Sequence, residues 1–193
     1  MKTGCILMAA GVSSRFGENK LLLAYQGKPV YACAMNAIPA ERLCAVAVVS
    51  GTDEVLQEAA ARGFTAILNE RPQDGVSRTI RLGLDALGGV DAALFLVGDQ
   101  PALTRASVLR LLDMGQAHPS CIVRLGYGDT VGNPVWFPGK YFDELRALTG
   151  DTGGGRVLRT HPEAVRTCQA DHPCELWDID SPEALQRLNE ALS

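Results

Sequence analysis

The sequence predicts an α/β fold, a mostly parallel sheet with helices on both faces. Three observations predict it. Short apolar runs alternate with segments of helical periodicity through the first two-thirds of the chain. The runs "LCAVAVVS" (43–50) and "AALFLVGDQP" (92–101) are almost continuously apolar at first, as strands covered on both faces must be. Polar turn residues separate the two kinds of segment, which is the pattern of βαβ units.

Each element has its own signal. "GCILMA" (4–9) reads as a buried strand, and "KPVYACAMNAIPA" (28–40) as a helix with Pro29 in its first turn. After the strand at 43–50, "TDEVLQEAAARG" (52–63) opens on the cap-like Thr52 and stops at Gly63. "FTAILN" (64–69) is a third strand. "SRTIRLGLDAL" (77–87) is a helix with Ser77 as its cap, and the strand at 92–101 follows. "TRASVLRLLDMGQA" (104–117) is a helix from Thr104, and "SCIVRLG" (120–126) a fifth strand. The stretch 126–142 is rich in Gly, Pro and aromatics and reads as a loop or hairpin over the crevice. "YFDELRALTG" (141–150) is a short helix, and "DTGGGRVLRTHP" (151–162) turns helical after its glycines. "AVRTCQA" (164–170) and "CELWDID" (174–180) read as short strands. "SPEALQRLNEALS" (181–193) is a helix capped by Ser181, with Pro182 in its first turn.

The 193 residues suit one domain, 1–193, whose second half closes over the first. Hydrophobic residues make up 47% and charged residues 21%, an ordinary globular balance. A net charge of −4 with scattered cations argues against a nucleic-acid partner. The six cysteines form no Cys-x-x-Cys pair, and the three histidines complete no zinc-like spacing. The expectation is reduced, mostly buried thiols. The N-terminal apolar run is too short for a secretory core or a membrane span, so a cytoplasmic protein with no membrane partner is expected.

The first strand breaks into "LMAAGVSSRFGENK" (7–20). Gly11 and Gly17 are separated by five residues, Leu21 follows Lys20, and no hydroxyl stands where a P-loop binds magnesium. A Gly-x-Gly-x-x-Gly pattern is also missing. The ingredients of an anion site are nevertheless present. Gly11 lets the backbone approach a ligand. Ser13, Ser14 and backbone N–H groups can donate, Arg15 offers a bidentate fork and Lys20 a mobile charge. Spacing alone leaves a solvated loop with two surface cations as the other reading.

Further stretches follow in order: "NERPQDGVSRTIRLGL" (69–84), "VGDQPALT" (97–104), "GNPVWFP" (132–138), "LTGDTGGGRVL" (148–158) and "DIDSPEAL" (178–185). Together with the first loop they resemble the nucleotidyltransferases with a GT-A-like fold. Within that group the chain is similar to the molybdenum cofactor cytidylyltransferases, close relatives of guanylyltransferases that act on the same cofactor. The resemblance spans almost the whole chain. It implies a Rossmann-like architecture, with residues to about 125 binding nucleotide and about 126–193 binding the acceptor.

The implied reaction is attack of a phosphate of the molybdenum cofactor on the α-phosphorus of CTP, giving a cytidine dinucleotide and pyrophosphate, with Mg²⁺ as cofactor and an apo molybdenum hydroxylase as client. Arg15 and Lys20 would clamp the triphosphate, with Lys20 near the α-phosphate. Asp99 would hold Mg²⁺, a hard ion that prefers carboxylate and phosphate oxygens. Asp178 is favoured over Asp180 as the second ligand, and Asp180 would tie the loop or face the acceptor. Ala9, Ala10, Gly11, Ser13, Ser14, Gly75 and Ser77 would line the nucleotide. Asn133 and Pro134 would meet the acceptor, with Trp136 and Phe137 closer to core than to a stacking platform. Arg156 is a weaker match in the same loop region. Where guanylyltransferase relatives read Ala-Gly-Gly, this chain reads Ala9-Ala10-Gly11, which favours the smaller pyrimidine. A guanylyltransferase, a sugar- or alditol-phosphate transferase of the same fold, and a non-catalytic chaperone that delivers the cofactor are the competing readings.

Overall fold

The computed structural model describes residues 1–11 and 19–192. In chain order the strands are β1 (Thr3–Ala9), β2 (Ala24–Tyr25), β3 (Lys28–Pro29), β4 (Ala45–Ser50), β5 (Thr65–Leu68), β6 (Ala92–Val97), β7 (Ile122–Tyr127), β8 (Thr130–Pro138) and β9 (Val165–Gln169). The helices are α1 (Val30–Asn36), α2 (Asp53–Ala61), α3 (Val76–Leu87), α4 (Arg105–Ala117), α5 (Phe142–Arg146), α6 (Gly155–Thr160) and α7 (Pro182–Ala191).

Seven strands form one sheet in the order β5–β4–β1–β6–β8–β7–β9, and β2 pairs only with β3. β1 lies in the middle, parallel to β4 on one side and to β6 on the other. Its side chains alternate between two cores, as a doubly covered strand requires. Cys5 and Leu7 belong to one core with Leu111 of α4, and Ile6 to the other with Ile80 of α3. The chain runs outward from β1 to β4 and β5, then returns to β6 on the far side of β1. That reversal opens a crevice above the C-terminal ends of β1 and β6, the place where open α/β sheets bind ligands.

Three expectations need correction. The hairpin expected after 126 is present, with β8 as its second strand, but it lies within the sheet, antiparallel between β6 and β7, rather than over the crevice. Prolines obscured this placement, because a proline cannot donate to a ladder. Arg124 pairs with Val135 and Leu125 with Gly132, so a bulge spares the buried Pro134 a bond it cannot make. Residues 28 and 29 form β3, paired with β2, rather than the start of α1, which is shortened to Val30–Asn36. The stretch 174–180 is not a strand. The carboxylate of Glu175, 1% exposed, accepts from the Thr104 N–H and Oγ1 and from the N–H groups of Asp171 and His172. This pulls Pro173–Leu176 into a tight turn.

All six cysteines are free, with Cys5, Cys168 and Cys174 buried and Cys44 exposed. Among the described residues no helix is long and apolar enough to cross a membrane.

Candidate active site

A cleft of about 480 Å³ lies above the ends of β1 and β6. Ala9, Ala10 and Gly11 line it from the first loop, Gly98 and Asp99 from the loop after β6, and Gly75, Val76 and Thr79 from the start of α3. The end of β1 is pinned from below: Ser50 Oγ donates to the Ala9 carbonyl at 2.8 Å and accepts from the Thr52 N–H. Ala10 is 9% exposed, so its methyl is part of the cleft wall rather than a solvent group.

Lys20 reaches the same cleft from a short turn, Lys20–Leu22. Asn19 builds that turn. Its Oδ1 accepts from the Leu21 N–H, and its amide donates to Thr52 Oγ1 at 2.7 Å. Lys20 Nζ then lies 2.6 Å from Asp99 Oδ2 and 3.0 Å from Asp180 Oδ1. Burial alone would lower the pKa of Lys20, but the charges and hydrogen bonds of Asp99 and Asp180 outweigh it and hold the ammonium above the usual lysine range. Residues 79 and 160 positions away in sequence thus meet one cation.

The segment 177–180 is strapped to the loop after β6. The Ile179 N–H donates to the Asp99 carbonyl at 2.9 Å. Gln100, 2% exposed, donates through Nε2 to Asp178 Oδ1 at 2.9 Å. Burial of its carboxyl, and next the charge of Asp99, push Asp178 up to about 6, although the residue keeps an exposed side. Asp178 and Asp99 are therefore close enough to repel. Among the described residues no ready-made group of three or more His, Cys, Asp or Glu could hold a metal. A magnesium site of one or two carboxylates completed by substrate phosphates does not need one, and the donor set of Asp99 and Asp178 suits it.

The start of α3 departs from expectation. Gly75, not Ser77, occupies the cap position, with φ 87°. A Cβ there would lie 2.2 Å from the carbonyl carbon of Gly150, so only glycine lets the Gly150–Asp151 backbone seat against the helix. Ser77 is fully buried and its N–H donates to the Gly150 carbonyl. Its Oγ finds no partner among the described residues. Asn133 lines a separate cavity, while Pro134, Trp136 and Phe137 are buried. Ser13, Ser14 and Arg15 lie outside the described residues.

Sequence reasoning missed Asn19, Gln100 and Asp151. Gln100 and Asp151 stand inside stretches that carried the resemblance, and a buried amide beside an acidic residue was the available signal. Asn69 was also missed. It is 1% exposed and organises the approach to α3, accepting from the Arg71 N–H and from Arg78 Nε.

Comparison with known proteins places this geometry. The chain is 26% identical over 200 residues to the purine catabolism protein PucB of Bacillus subtilis, covering 97% of this chain and 96% of that protein. It is 29% identical over 162 residues to the 3-deoxy-manno-octulosonate cytidylyltransferase of Brucella ovis, covering 82% of this chain and 62% of that one. Among solved structures, Rv0371c of Mycobacterium tuberculosis in complex with manganese matches with a TM-score of 0.81 at 26% identity, covering 99% of this chain and 100% of that one. Residues 5–165, which carry β1, Lys20, Asp99 and the cleft between them, match the MobA-like NTP transferase domain, and the chain belongs to that family of nucleotidyltransferases.

Proposed function

We propose that this protein transfers CMP from CTP to the phosphate of the molybdenum cofactor, yielding molybdopterin cytosine dinucleotide and pyrophosphate. One observation carries the reading: Lys20 from the first loop and Asp99 after β6 meet in one cleft, with Asp180 on the same Lys20 and Asp178 on the neighbouring Gln100. An acceptor phosphate is already an anionic nucleophile, so the protein needs no strong base. Its work is positioning and stabilisation of charge on the phosphorus oxygens and the leaving pyrophosphate.

Lys20 supplies that charge. Its pairing with Asp99 and Asp180 keeps it protonated and aimed into the cleft. Arg15 and the hydroxyls of Ser13 and Ser14 are assigned to the triphosphate on the family resemblance. Asp99 and Asp178 would hold Mg²⁺, which supplies neutralisation of the triphosphate when bound. The Rv0371c structure in complex with manganese supports a divalent ion as cofactor. Gly75 and the buried start of α3 shape the nucleotide wall, and Ala10 narrows the space beside the base. The similarity to a cytidylyltransferase supports CTP as donor. An apo molybdenum hydroxylase is the client this product would serve.

The test is incubation with Mg²⁺, molybdenum cofactor and each NTP in turn, with the product identified by mass. A cytidine dinucleotide and stoichiometric pyrophosphate are expected. A guanosine dinucleotide formed faster would replace the donor assignment, and no product with any NTP would overturn the transferase reading for this acceptor.

A further inference from the structure

Beside the cleft lies a second cavity of about 530 Å³, large enough for a small organic molecule. The two are neighbours. Val97 of β6 lines the cleft. Val135, which pairs with Phe95 two residues earlier on β6, lines the cavity. The 151–155 segment contributes Asp151 to the cleft and Gly155 to the cavity.

The walls of this cavity are chemically one-sided. Val135, Leu158 and Val165 make it apolar, while Arg124, Arg159 and Asn133 bring donors, and no Asp or Glu lines it. Arg124 is half-buried on β7, and its Nε donates to Thr167 Oγ1 at 3.2 Å, while both terminal nitrogens of the fork have no partner among the described residues. Arg42, Arg62, Arg105, Arg110 and Arg146 each pair with a carboxylate. Arg124 and Arg159 have no such partner among the described residues. A half-buried guanidinium without a counter-charge, facing an open cavity beside a second one, is poised for an anion.

We propose that Arg124 and Arg159 hold an anionic group of the acceptor other than the phosphate that attacks CTP, while its apolar body lies against Val135, Leu158 and Val165. The word acceptor rests on the transferase reading above; the anion site does not. It assigns two residues that none of the sequence motifs marked.

Phenyl phosphate, an oxyanion on an apolar ring, is the probe, with inorganic phosphate as the oxyanion alone, both titrated calorimetrically into the full chain. Phenyl phosphate is expected to bind more tightly than inorganic phosphate. Arg124→Gln and Arg159→Gln should each weaken it about tenfold or more, the scale of a lost charged hydrogen bond. Arg124→Lys should recover part of the loss, and Lys20→Ala should leave the arginine-dependent binding in place. Binding of CTP with Mg²⁺ should be unchanged in both glutamine variants. Affinity that follows Lys20 and ignores the arginines overturns the proposal, as does no measurable binding. Arginine-dependent binding in a protein that makes no dinucleotide upholds the anion site and overturns the transferase reading instead.

Discussion

Replacing Gly75 with alanine tests whether the seat between α3 and the Gly150–Asp151 backbone holds the cleft together. The glycine has φ 87° and ψ 176°, a region that side chains enter only with strain, about 1–3 kcal/mol. The new methyl would stand 2.2 Å from the Gly150 carbonyl carbon, 2.3 Å from its oxygen and 2.5 Å from the Asp151 nitrogen. Backbone cannot yield as a side-chain tip does, so the 150–151 segment must move. It then loses the hydrogen bond from the Ser77 N–H, 3.2 Å long, worth about 0.5–1.5 kcal/mol. The expected destabilisation is about 2–4 kcal/mol, or roughly 5–15 °C in Tm for a chain of this size. Gly150→Ala is the control. It also has positive φ, 58°, but its Cβ meets nothing, so it should cost only the conformational strain. Thermal unfolding by circular dichroism gives both values, and CTP saturation kinetics should show a raised KM for Gly75→Ala, because Asp151 lines the cleft. If Gly75→Ala melts no lower than Gly150→Ala, the close seat is not what fixes this wall.

Lys20→Ala should fold normally and lose roughly 100–1000-fold in kcat/KM, by comparison with removal of a donor to developing charge; pyrophosphate release at wild-type rate would remove Lys20 from the mechanism. Asp99→Asn and Asp178→Asn should abolish metal-dependent turnover while Asp180→Asn is milder, and the reverse ranking within 178–180 would transfer the ligand role to Asp180. Asp178→Asn should also stabilise the metal-free protein at pH 8. A carboxyl raised from 3.8 to about 6 in the folded state costs stability as pH rises through that window. The shift corresponds to about 3 kcal/mol, which solvent screening at this exposed residue reduces to about 1 kcal/mol. Urea titrations should show the gain at pH 8 and its disappearance near pH 4. Ala10→Gly should relax a preference for CTP over GTP by roughly 10–200-fold at most, since one methyl is worth about 1–3 kcal/mol; kcat/KM values for both nucleotides check this.

The parallel core was legible because a strand covered on both faces has to be apolar throughout, and β1, β4 and β6 announce themselves that way. The antiparallel β8 was hidden by Gly132, Pro134 and Pro138, residues that weaken a strand signal even where a bulge makes them acceptable. Glu175 hid the turn at 173–176, since nothing local says that a carboxylate will gather donors from residues 104 and 171–172. The cleft residues Lys20 and Asp99 were legible from their loops. Arg124 and Arg159 were not, because a cation that no carboxylate among the described residues reaches is recognised only in the packed chain. The Asn19 turn escaped notice for the same reason: its partner Thr52 belongs to the start of another helix.

The strap at 177–180 gives the site two halves of very different local stability. Amides of β1, clamped between β4 and β6, exchange their protons only when most of the sheet opens. The Ile179 amide is held by a single bond to the Asp99 carbonyl in a segment that pairs with no strand. The Ile179 side chain is fully buried, and Gln100 and Lys20 hold Asp178 and Asp180, so side chains rather than ladder bonds fix the strap to the site. An opening of the strap would separate Asp178 and Asp180 from Asp99 and Lys20 without breaking the sheet. A ligand that needs both halves closes the strap as it binds, and slower exchange at Ile179 with unaltered exchange in β1 is the signature that closure would leave.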